Sequence, residues 1–448
     1  MKIIIKIFLF LLATTMSYAQ SGHIMQGVGA VNMSMGGAAT AQPTDINGAL
    51  QWNPAAISTF DSRIISINAG AFYSSPEISS SLPAGMLGPG APAVSGTTKD
   101  ARGTSLMPSV SMVFGKEGSK HTFGVSAFGI SGFGVTFPEE QNNPLSPSFN
   151  PTLSSNPINY PQQAGGFGRL QSDYMLMQVG VTYAYQLSDN FSIGIQPTFN
   201  YAGLELIPNP TSSPGLAGYP KSDQASAIGY GAQVGVLYNS GTGLKLGAAY
   251  KSPQFFSDFE FNNTYLDNST ALSNTFRMDY PSIISVGTGY SKGVVDLALD
   301  YRYVTYSGTE GFEAKGWTPS GSVNGFGWKD MSIVSFGVQY KGVERLPLRV
   351  GYTYNTNPID SELTFFSSPA TAVIKNAFQV GMGYEFSDRV NINGVYHYGT
   401  SSGSTEGQLL NPMMVASGNP YGAIPGSSVS YKMTTSMIML GLNYTLKR

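Results

Sequence analysis

The sequence predicts an all-β fold, a transmembrane antiparallel β-barrel of about 14 strands with an N-terminal hatch inside its lumen. Three observations predict it. Charged residues make up only 11% of the 448 residues, and Gly, Tyr and Phe number 54, 26 and 25, whereas about 25% of an ordinary soluble protein is charged. Most of the chain alternates apolar residues with small or polar ones. No segment offers the roughly 20 uninterrupted apolar residues that a membrane-spanning helix needs.

The first residues have the pattern of an export signal. Lys2 and Lys6 are basic, an apolar run extends from Ile3 to Leu12, and Ser17-Tyr18-Ala19 has the small-x-small pattern of a cleavage site. The apolar run is too short to span a membrane as a helix. We therefore predict that residues 1–19 are a signal peptide.

Residues 20–62 are rich in Gly and Ala and separate this leader from the first strand. Gly36 and Gly37 allow tight turns and close packing. Asp45 follows, and the segment then reaches Asn53-Pro54-Ala55, where the proline keeps Asn53 out of the helical region. A compact segment of small residues can fill the inside of a barrel, so we predict a hatch, or plug.

Residues 63–448 divide into segments of period two, which is typical of strands with two different faces. Between Asn376 and Phe386, for example, Phe378, Val380 and Met382 alternate with small or polar residues. We predict fourteen strands, an even number, as expected for a single-chain bacterial outer-membrane barrel. Their predicted starts lie near residues 63, 105, 119, 172, 190, 225, 243, 280, 293, 330, 346, 374, 389 and 431.

The connections between these strands alternate in length. Tight turns such as Ser188-Asp189-Asn190 and Ser387-Asp388-Arg389 alternate with long loops rich in Pro, Ser, Asn and Gly, such as 132–171. Short turns are expected at the periplasmic rim and long loops outside. A secreted β-sandwich also has alternating strands, but it has neither this loop rhythm nor outward-facing aromatic residues on every strand.

Several function classes find no support in the residues. The chain has no Cys, so disulfides and thiolate chemistry are excluded, and its net charge of -2 provides no basic surface for nucleic acid. His23, His121 and His397 form no Ser-His-acid set and show no metal-ligand spacing. We therefore expect no catalytic residues, no metal and no cofactor. An alternative is a barrel enzyme that acts on lipids through His397 and a nearby Ser.

The hatch segment has a recognisable order of motifs. Gly36-Gly37-Ala38, Asp45 and Asn53-Pro54-Ala55 follow one another at spacings that resemble those of the FadL/OmpP1 family, outer-membrane transporters of long-chain fatty acids and other hydrophobic molecules. The segments 247–252 and 328–330 are similar to later parts of that family. The resemblance covers essentially the whole mature chain.

The resemblance implies a barrel in the outer membrane of a Gram-negative cell, and we expect a monomer. Hydrophobic molecules are then captured at the outer loops, held in a lumenal pocket and released sideways into membrane lipid by passive diffusion. The expected exit is an inward kink in the third strand, where Gly129, Gly132 and Gly134 lie. Glycines inside a strand mark bends even without the analogy, or they relieve crowding. A further alternative is a barrel that serves as a shuttle or scaffold in protein secretion.

The predicted lumen is unusually apolar. Phe128, Ile130, Met437 and Met439 face it by strand parity. Met and Phe line adaptable apolar sites, so these residues are candidates for binding an acyl chain or an aromatic hydrocarbon. The alternative is that they pack against the hatch.

The headgroup of a fatty acid also needs a cation. Arg302, Lys329 and Arg349 are the candidates, by strand parity or by their position near the outer rim. The alternative for each is an ion pair with a nearby acid of the protein.

Overall fold

The computed structural model describes residues 23–215, 218–371 and 373–446. The predicted signal peptide lies outside the described residues. The described chain consists of an N-terminal segment, residues 23–62, which we call the hatch, and a β-barrel that begins at Arg63. Within these ranges, no helix is both long and apolar enough to cross a membrane.

Fourteen long strands form the barrel. In chain order they are Arg63–Leu82 (β1), Thr104–Phe114 (β2), His121–Phe137 (β3), Leu170–Ser188 (β4), Phe191–Ile207 (β5), Ala225–Asn239 (β6), Leu244–Lys251 (β7), Ile283–Lys292 (β8), Val295–Val304 (β9), Met331–Tyr340 (β10), Leu348–Asn355 (β11), Asn376–Ser387 (β12), Val390–Thr400 (β13) and Ser428–Thr445 (β14).

Each strand pairs antiparallel with the next one along the chain. The barrel closes because β1 also pairs with β14, from Ile64 opposite Thr445 to Ser81 opposite Ser428. The predicted 14-stranded antiparallel barrel is therefore confirmed, and each predicted strand start lies within three residues of the observed one. The alternation located the strands because the two faces of a barrel wall meet different surroundings.

The two faces of the wall differ as this alternation predicts. On β6, Ile228, Tyr230, Val234 and Val236 are exposed on the outside, while Gln233 is buried on the inside. Exposed apolar side chains recur on the outer face of the other strands. A continuous apolar outer surface is stable in lipid and unfavourable in water.

The hatch is compact and mostly buried. It contains two short α-helices, Ala30–Ser34 (α1) and Ile46–Trp52 (α2), and a 3₁₀ helix, Pro54–Thr59. Asp45 caps α2 by accepting a hydrogen bond from the Gly48 N–H at 3.0 Å, which satisfies one of the backbone donors that a helix start leaves free.

The hatch comes close enough to the wall to require glycine. Gly36 has a φ of +67°, a left-handed conformation, and a Cβ there would lie 2.7 Å from the Phe336 carbonyl oxygen of β10. The hatch and the wall therefore meet backbone to backbone at this point.

The short turns lie at one end of the barrel and the long loops at the other. Val94–Lys99 and Thr405–Gly407 extend the sheet beside β1 and β14, and Phe255–Phe256 pairs with β6. The long loops bury aromatic side chains over the lumen, among them Phe312, Trp328 and Phe366.

Candidate functional site

Polar contacts fix the hatch to the barrel wall. The Asp300 carboxylate of β9 accepts hydrogen bonds from the Ala39 N–H, the Thr40 N–H and the Thr40 hydroxyl at 2.8, 2.9 and 2.7 Å. It also pairs with Arg302 at 2.6 Å, and Arg302 donates to the Gly37 carbonyl at 2.7 Å. Both charged side chains are buried, so the loss of either partner is costly.

Asn53 anchors the other end of the hatch. Its amide donates to the Thr40 carbonyl at 2.7 Å and to the Val236 carbonyl of β6 at 3.0 Å. Its side-chain oxygen accepts from the Ala55 N–H at 3.0 Å and so caps the 3₁₀ helix. One side chain therefore joins two parts of the hatch to the wall.

The remaining predicted hatch residues lie in equally tight places. A Cβ on Gly37 would overlap the Gln26 carbonyl oxygen, and Pro54 packs so closely on β5 that a Cβ on Gly194 would lie 2.4 Å from its carbonyl carbon. Burial raises the pKa of Asp45, and the hydrogen bond from Gly48 opposes the shift. The residues singled out in the hatch thus have roles in its folding and seating.

Strand β3 changes its surroundings halfway along its length. Up to Phe128 it pairs with both neighbouring strands, and its residues mostly alternate between exposed and buried. Pairing with β2 then ends at Phe128 opposite Ser109, the register against β4 shifts between Gly129 and Ser131, and residues 128–133 are all buried. Because a bulge bends a strand, the second half of β3 turns from the wall into the lumen.

The bend leaves an unpaired stretch in the wall. Residues 104–108 of β2 pair with β1 but not with residues 129–135 of β3. We call this stretch the side window. It ends on the loop side where the Ala101 N–H donates to the Thr136 carbonyl at 2.8 Å.

The start of the hatch closes the side window from the inside. The Met25 N–H donates to the Ile130 carbonyl at 3.0 Å, and the Gly132 N–H donates to the His23 carbonyl at 3.2 Å. The Ser131 hydroxyl donates to that same carbonyl at 2.6 Å. The backbone groups that β2 no longer meets are therefore partly satisfied by the hatch.

An aromatic cluster surrounds His23 beside the window. Phe312 stacks on the His23 ring at 4.7 Å between centroids. Four further rings have centroids within 6.0 Å of it: Tyr174, Tyr280, Tyr306 and Trp328. The Tyr306 hydroxyl and His23 Nδ1 are hydrogen-bonded at 2.8 Å. Burial lowers the pKa of His23 to about 3, so its ring is neutral at ordinary pH.

An apolar pocket lies between this cluster and the outer loops. Its lining comes from β3, β5 and four loops: Phe133, Leu204, Leu206, Pro210, Thr211, Phe276, Val323, Gly325, Phe326, Phe366 and Pro369. The cavity volume is about 20 Å³, room for about one water molecule. An aromatic ring or an acyl chain therefore has to push these side chains apart.

Phe133 joins the pocket to the side window. It lies in the bent half of β3, and its ring is 5.0 Å from Tyr174 of the aromatic cluster and 5.9 Å from Phe326 of the pocket. Phe133 therefore contacts both the aromatic cluster and the pocket lining, and it belongs to the strand that borders the window.

The predicted apolar ligand residues fall into two groups. Phe128 and Ile130 are buried at the bend of β3. Met437 and Met439 lie outside the apolar pocket, in a separate cluster with the wall residues Phe72, Met107 and Val395 and the hatch residues Met25, Ala30 and Met33. The two methionines therefore pack against the hatch, and their cluster reaches the edge of the side window through Met107.

The three predicted cations are engaged within the protein, and none lines the apolar pocket. Arg302 holds the hatch through Asp300. Arg349 is buried and donates to Gln339 at 2.6 Å and to Asn393 at 3.1 Å. Lys329, half-exposed at the outer rim, pairs with Asp360 at 2.5 Å.

The three predicted kink glycines also differ. Gly129 begins the bulge and Gly132 bonds to the hatch. Gly134 instead makes room for Arg102, because a Cβ on Gly134 would overlap the guanidinium. That guanidinium pairs with Asp173 at 2.9 Å. For Gly134 the structure favours relief of crowding.

Sequence reasoning missed the loop aromatic residues and the place of His23. Phe312, Phe326 and Trp328 all occur within one long loop. Three large aromatic residues in a segment otherwise rich in Gly and polar residues are a signal for a buried cluster. Lys251 was also missed: it alternates with the outward-facing Tyr250 and is buried in the lumen.

Comparison with family models places the chain among known proteins. Residues 158–447 match the model of the family described as outer membrane protein transport protein (OMPP1/FadL/TodX). Among curated proteins, no sequence matches the chain.

Solved structures share the whole fold at low sequence identity. A FadL homologue of Pseudomonas aeruginosa aligns with a TM-score of 0.67 and 14% identity, over 95% of this chain and 99% of that chain. The Pseudomonas putida toluene transporter TodX aligns with a TM-score of 0.64 and 16% identity, over 94% and 99%. The Ralstonia pickettii toluene transporter TbuX aligns with a TM-score of 0.60 and 15% identity, over 94% of this chain and 99% of that chain.

The family match covers more than half of the chain, and the structural matches show the same closed barrel. This protein is therefore an outer-membrane β-barrel and belongs to the OMPP1/FadL/TodX family of outer membrane transport proteins.

Proposed function

We propose that this barrel carries hydrophobic small molecules, long-chain fatty acids or aromatic hydrocarbons, across the outer membrane by passive diffusion and releases them sideways into the membrane. The molecule enters through the apolar pocket under the outer loops. It then passes the aromatic cluster around His23 and leaves through the side window, while the part of the hatch that Asp300 and Asn53 anchor stays in place.

The observation that carries this proposal is the position of Phe133. The same strand residue lines the apolar pocket and follows the bend that opens the wall. Apolar side chains continue from there to Phe128, Ile130 and Met107 at the window. An apolar molecule therefore meets apolar surface along the whole path, as its transfer free energy requires.

The two alternative functions have less support. His397, the candidate for a barrel enzyme, is buried, and its ring is hydrogen-bonded to Gln379 at 3.1 Å and to Thr435 at 3.4 Å. Neither partner is the acid that a triad needs. The function of a secretion shuttle does not require an apolar pocket that leads to the side window. We also propose a monomer, because the barrel closes on its own strands and holds its own hatch.

The bend of β3 provides the test. The exchanges Gly129→Val and Gly132→Val crowd a stretch that is buried on both faces, and β-branched residues favour a regular strand over a bulge. Uptake of radiolabelled oleate and radiolabelled toluene is measured in cells that lack their own transporter of this type. We expect uptake to fall for the double variant.

The matched control is Gly394→Val, because Gly394 lies in a regularly paired strand where a Cβ meets only Leu440 at 3.5 Å. Heat-modifiable migration on gels verifies that both variants assemble. Normal uptake through an assembled double variant would refute the sideways exit.

A further inference from the structure

Three adjacent strands carry a polar surface on the outside of the barrel, at its loop end. They are β14, β1 and the short strand Val94–Lys99, and β1 pairs antiparallel with both of the others. Side chains that point inward at this level, such as Ile78 and Tyr431, are fully buried. Because side chains alternate along a strand, the residues between them form an outer face.

Towards the middle of the barrel, the same outer face is apolar. Ile438 and Leu440 of β14 are strongly exposed on it, and Tyr73 of β1 is half-exposed. Aromatic side chains on the outside of a barrel mark the boundary between the hydrocarbon layer and the headgroups. The part of the face that lies beyond Tyr73, towards the long loops, is therefore at the level of the lipid headgroups.

Beyond Tyr73 the outer face consists of charged and hydroxyl side chains in regular rows. The register of the three strands gives the rows Lys432-Glu77-Lys99, Ser430-Ser79-Thr97 and Ser428-Ser81-Ser95. Neighbouring strands are about 4.8 Å apart and alternate residues of one strand about 6.7 Å apart, so the three rows cover roughly 10 Å by 13 Å. A surface of this size can accommodate a disaccharide.

The row nearest the membrane has a net positive charge. The Glu77 carboxylate lies 3.8 Å from the Lys99 ammonium and 3.2 Å from the Lys432 ammonium, and one carboxylate balances only one of the two cations. The lysine side chains are 77% and 60% exposed, whereas that of Glu77 is 24% exposed. Glu77 therefore holds two ammonium groups at one level, and each has further donors for another acceptor.

The two outer rows present hydroxyl groups that are already ordered. The hydroxyls of Ser79 and Thr97 are hydrogen-bonded at 2.7 Å, and so are those of Ser81 and Ser428. A hydroxyl has one donor and two acceptor positions, so each pair can still bind a polar ligand. A groove of about 740 Å³ continues this surface towards loop residues 151–154.

We infer that this outer face binds the phosphorylated sugar head of lipopolysaccharide from the outer leaflet of the membrane. Lys99 and Lys432 bind a phosphate group, since hydrogen bonds between charged groups are the strong ones. The serine and threonine hydroxyls bind the sugars, and the acyl chains of the same molecule lie along the apolar face at Ile438. The site is on the outside of the wall and is independent of the proposed transport through the lumen.

The test measures binding of lipid A with its inner-core sugars to the full barrel in detergent, by native mass spectrometry. The phosphorylated glycolipid is compared with the same glycolipid after removal of its phosphates by hydrofluoric acid. We expect the unaltered barrel to bind the phosphorylated form at least about fivefold more tightly, because two cations contact the phosphate. Lys99→Gln combined with Lys432→Gln should abolish this preference.

The matched control is Lys116→Gln combined with Lys120→Gln. It removes the same charge from two exposed lysines of the turn between β2 and β3, at the opposite end of the barrel, and should leave the preference unchanged. Heat-modifiable migration verifies assembly of both double variants.

Two further variants separate the roles of hydroxyl groups and charge. Ser79→Ala combined with Thr97→Val removes a hydrogen-bonded hydroxyl pair and should weaken binding of both forms of the glycolipid. Glu406, which is exposed and pairs opposite Ser430, places a negative charge beside the hydroxyl rows. Glu406→Gln should therefore strengthen binding of the phosphorylated form.

Three outcomes would overturn the inference. The first is equal binding of the two forms by the unaltered barrel, or a preference that survives in Lys99→Gln with Lys432→Gln. The second is displacement of the glycolipid by millimolar inorganic phosphate, which would indicate a general anion site. The third is a dimer that the lysine double variant converts to a monomer, which would assign this face to a second copy of the chain.

Discussion

The hatch and the second half of β3 lie inside the same barrel, but they are held in different ways. Charged and polar groups of the wall, Asp300 above all, hold the hatch by bonds of fixed geometry. The bent half of β3 is held by packed rings around Phe133 and by a few backbone bonds to the start of the hatch. Directional bonds are costly to break one by one, whereas apolar contacts can rearrange around a new group. The part of the hatch anchored at Asp300 is therefore held in place, whereas the bent half of β3 and the start of the hatch beside it can move more easily.

Loss of the Asp300 carboxylate should destabilise the seating of the hatch more than any other change, because this group bonds to Ala39, Thr40 and Arg302 at once. Asp300→Ala strands Arg302 as a buried unpaired charge, and breaking such a pair costs roughly 3–5 kcal/mol. We expect the hatch to loosen and small ions to leak, which is measured as conductance in planar bilayers. Asp360→Ala is the control, since its pair with Lys329 is half-exposed and worth at most about 1 kcal/mol. Unchanged conductance in Asp300→Ala would mean that the hatch does not depend on this anchor.

Acid should loosen the start of the hatch. Burial lowers the pKa of His23 to about 3, while a released His23 has an ordinary pKa near 6.5. Between these values the released form binds more protons, so attachment is fully stable above about pH 6.5 and weakens as the pH falls, by roughly 2 kcal/mol at pH 5. The groups facing the ring are Tyr174, Tyr280 and Tyr306, whose hydroxyls stay protonated throughout this range.

Hydrogen exchange measures this release. The backbone N–H groups of Met25 and Gly132, which bond across the closure, should lose protection at pH 5 relative to pH 7 after correction for intrinsic exchange rates. His23→Gln removes the titrating group and should remove the difference. Equal protection at both pH values in the unaltered protein would contradict the assignment.

Asn53 should show an intermediate effect at the opposite end of the hatch. Asn53→Ala loses a cap and two bonds to backbone carbonyls, which should cost roughly 1–2 kcal/mol. Asn53→Asp keeps the acceptor for Ala55 but loses both donated bonds and turns a buried carboxylate oxygen toward two carbonyl oxygens, so it should cost more than Asn53→Ala. Limited proteolysis of the hatch is the measurement, and resistance equal to that of the unaltered barrel in both variants would count against the anchor.

Replacement of Arg102, which lies at the loop end of the side window, should have the smallest effect on uptake. Its pair with the part-exposed Asp173 helps to hold the loop end of the side window, and such a pair is worth at most about 1 kcal/mol. Arg102→Ala should leave assembly intact and raise hydrophobic uptake by at most about fivefold. Lys99→Ala, which removes a longer and more exposed pair with Glu77 at 3.8 Å, should change nothing. A fall in uptake in Arg102→Ala would reverse the role given to this pair.

The barrel could be predicted from the sequence because the residue pattern that identifies each strand lies within that strand. Each wall strand meets lipid on one side and the lumen on the other, so period-two alternation marks it directly, as for Phe378, Val380 and Met382 of β12. The hatch motif could also be found, since Gly36 and Asn53 meet local conformational demands as well as contacts.

The contacts inside the lumen could not be predicted in the same way. Parity placed Arg302 in the lumen, but its partner could equally have been a ligand or Asp300, and only the position of the hatch decides between them. The apolar pocket joins residues from six separate segments, and no pattern along the chain reports such contacts. For the same reason, parity made Met437 and Met439 candidates either for ligand binding or for packing against the hatch, because alternation cannot tell an open lumen from a filled one.

The most direct test of the central claim is transport with the hatch locked in place. The Ser58 hydroxyl of the hatch lies 2.9 Å from the Ser192 hydroxyl of β5, and the chain has no cysteine of its own, so Ser58→Cys with Ser192→Cys can form one defined disulfide between hatch and wall. Uptake of radiolabelled oleate is then compared under oxidising and reducing conditions. Sideways release past a fixed hatch predicts equal uptake in both states, whereas uptake that stops on oxidation and returns on reduction would show that the hatch itself must move aside.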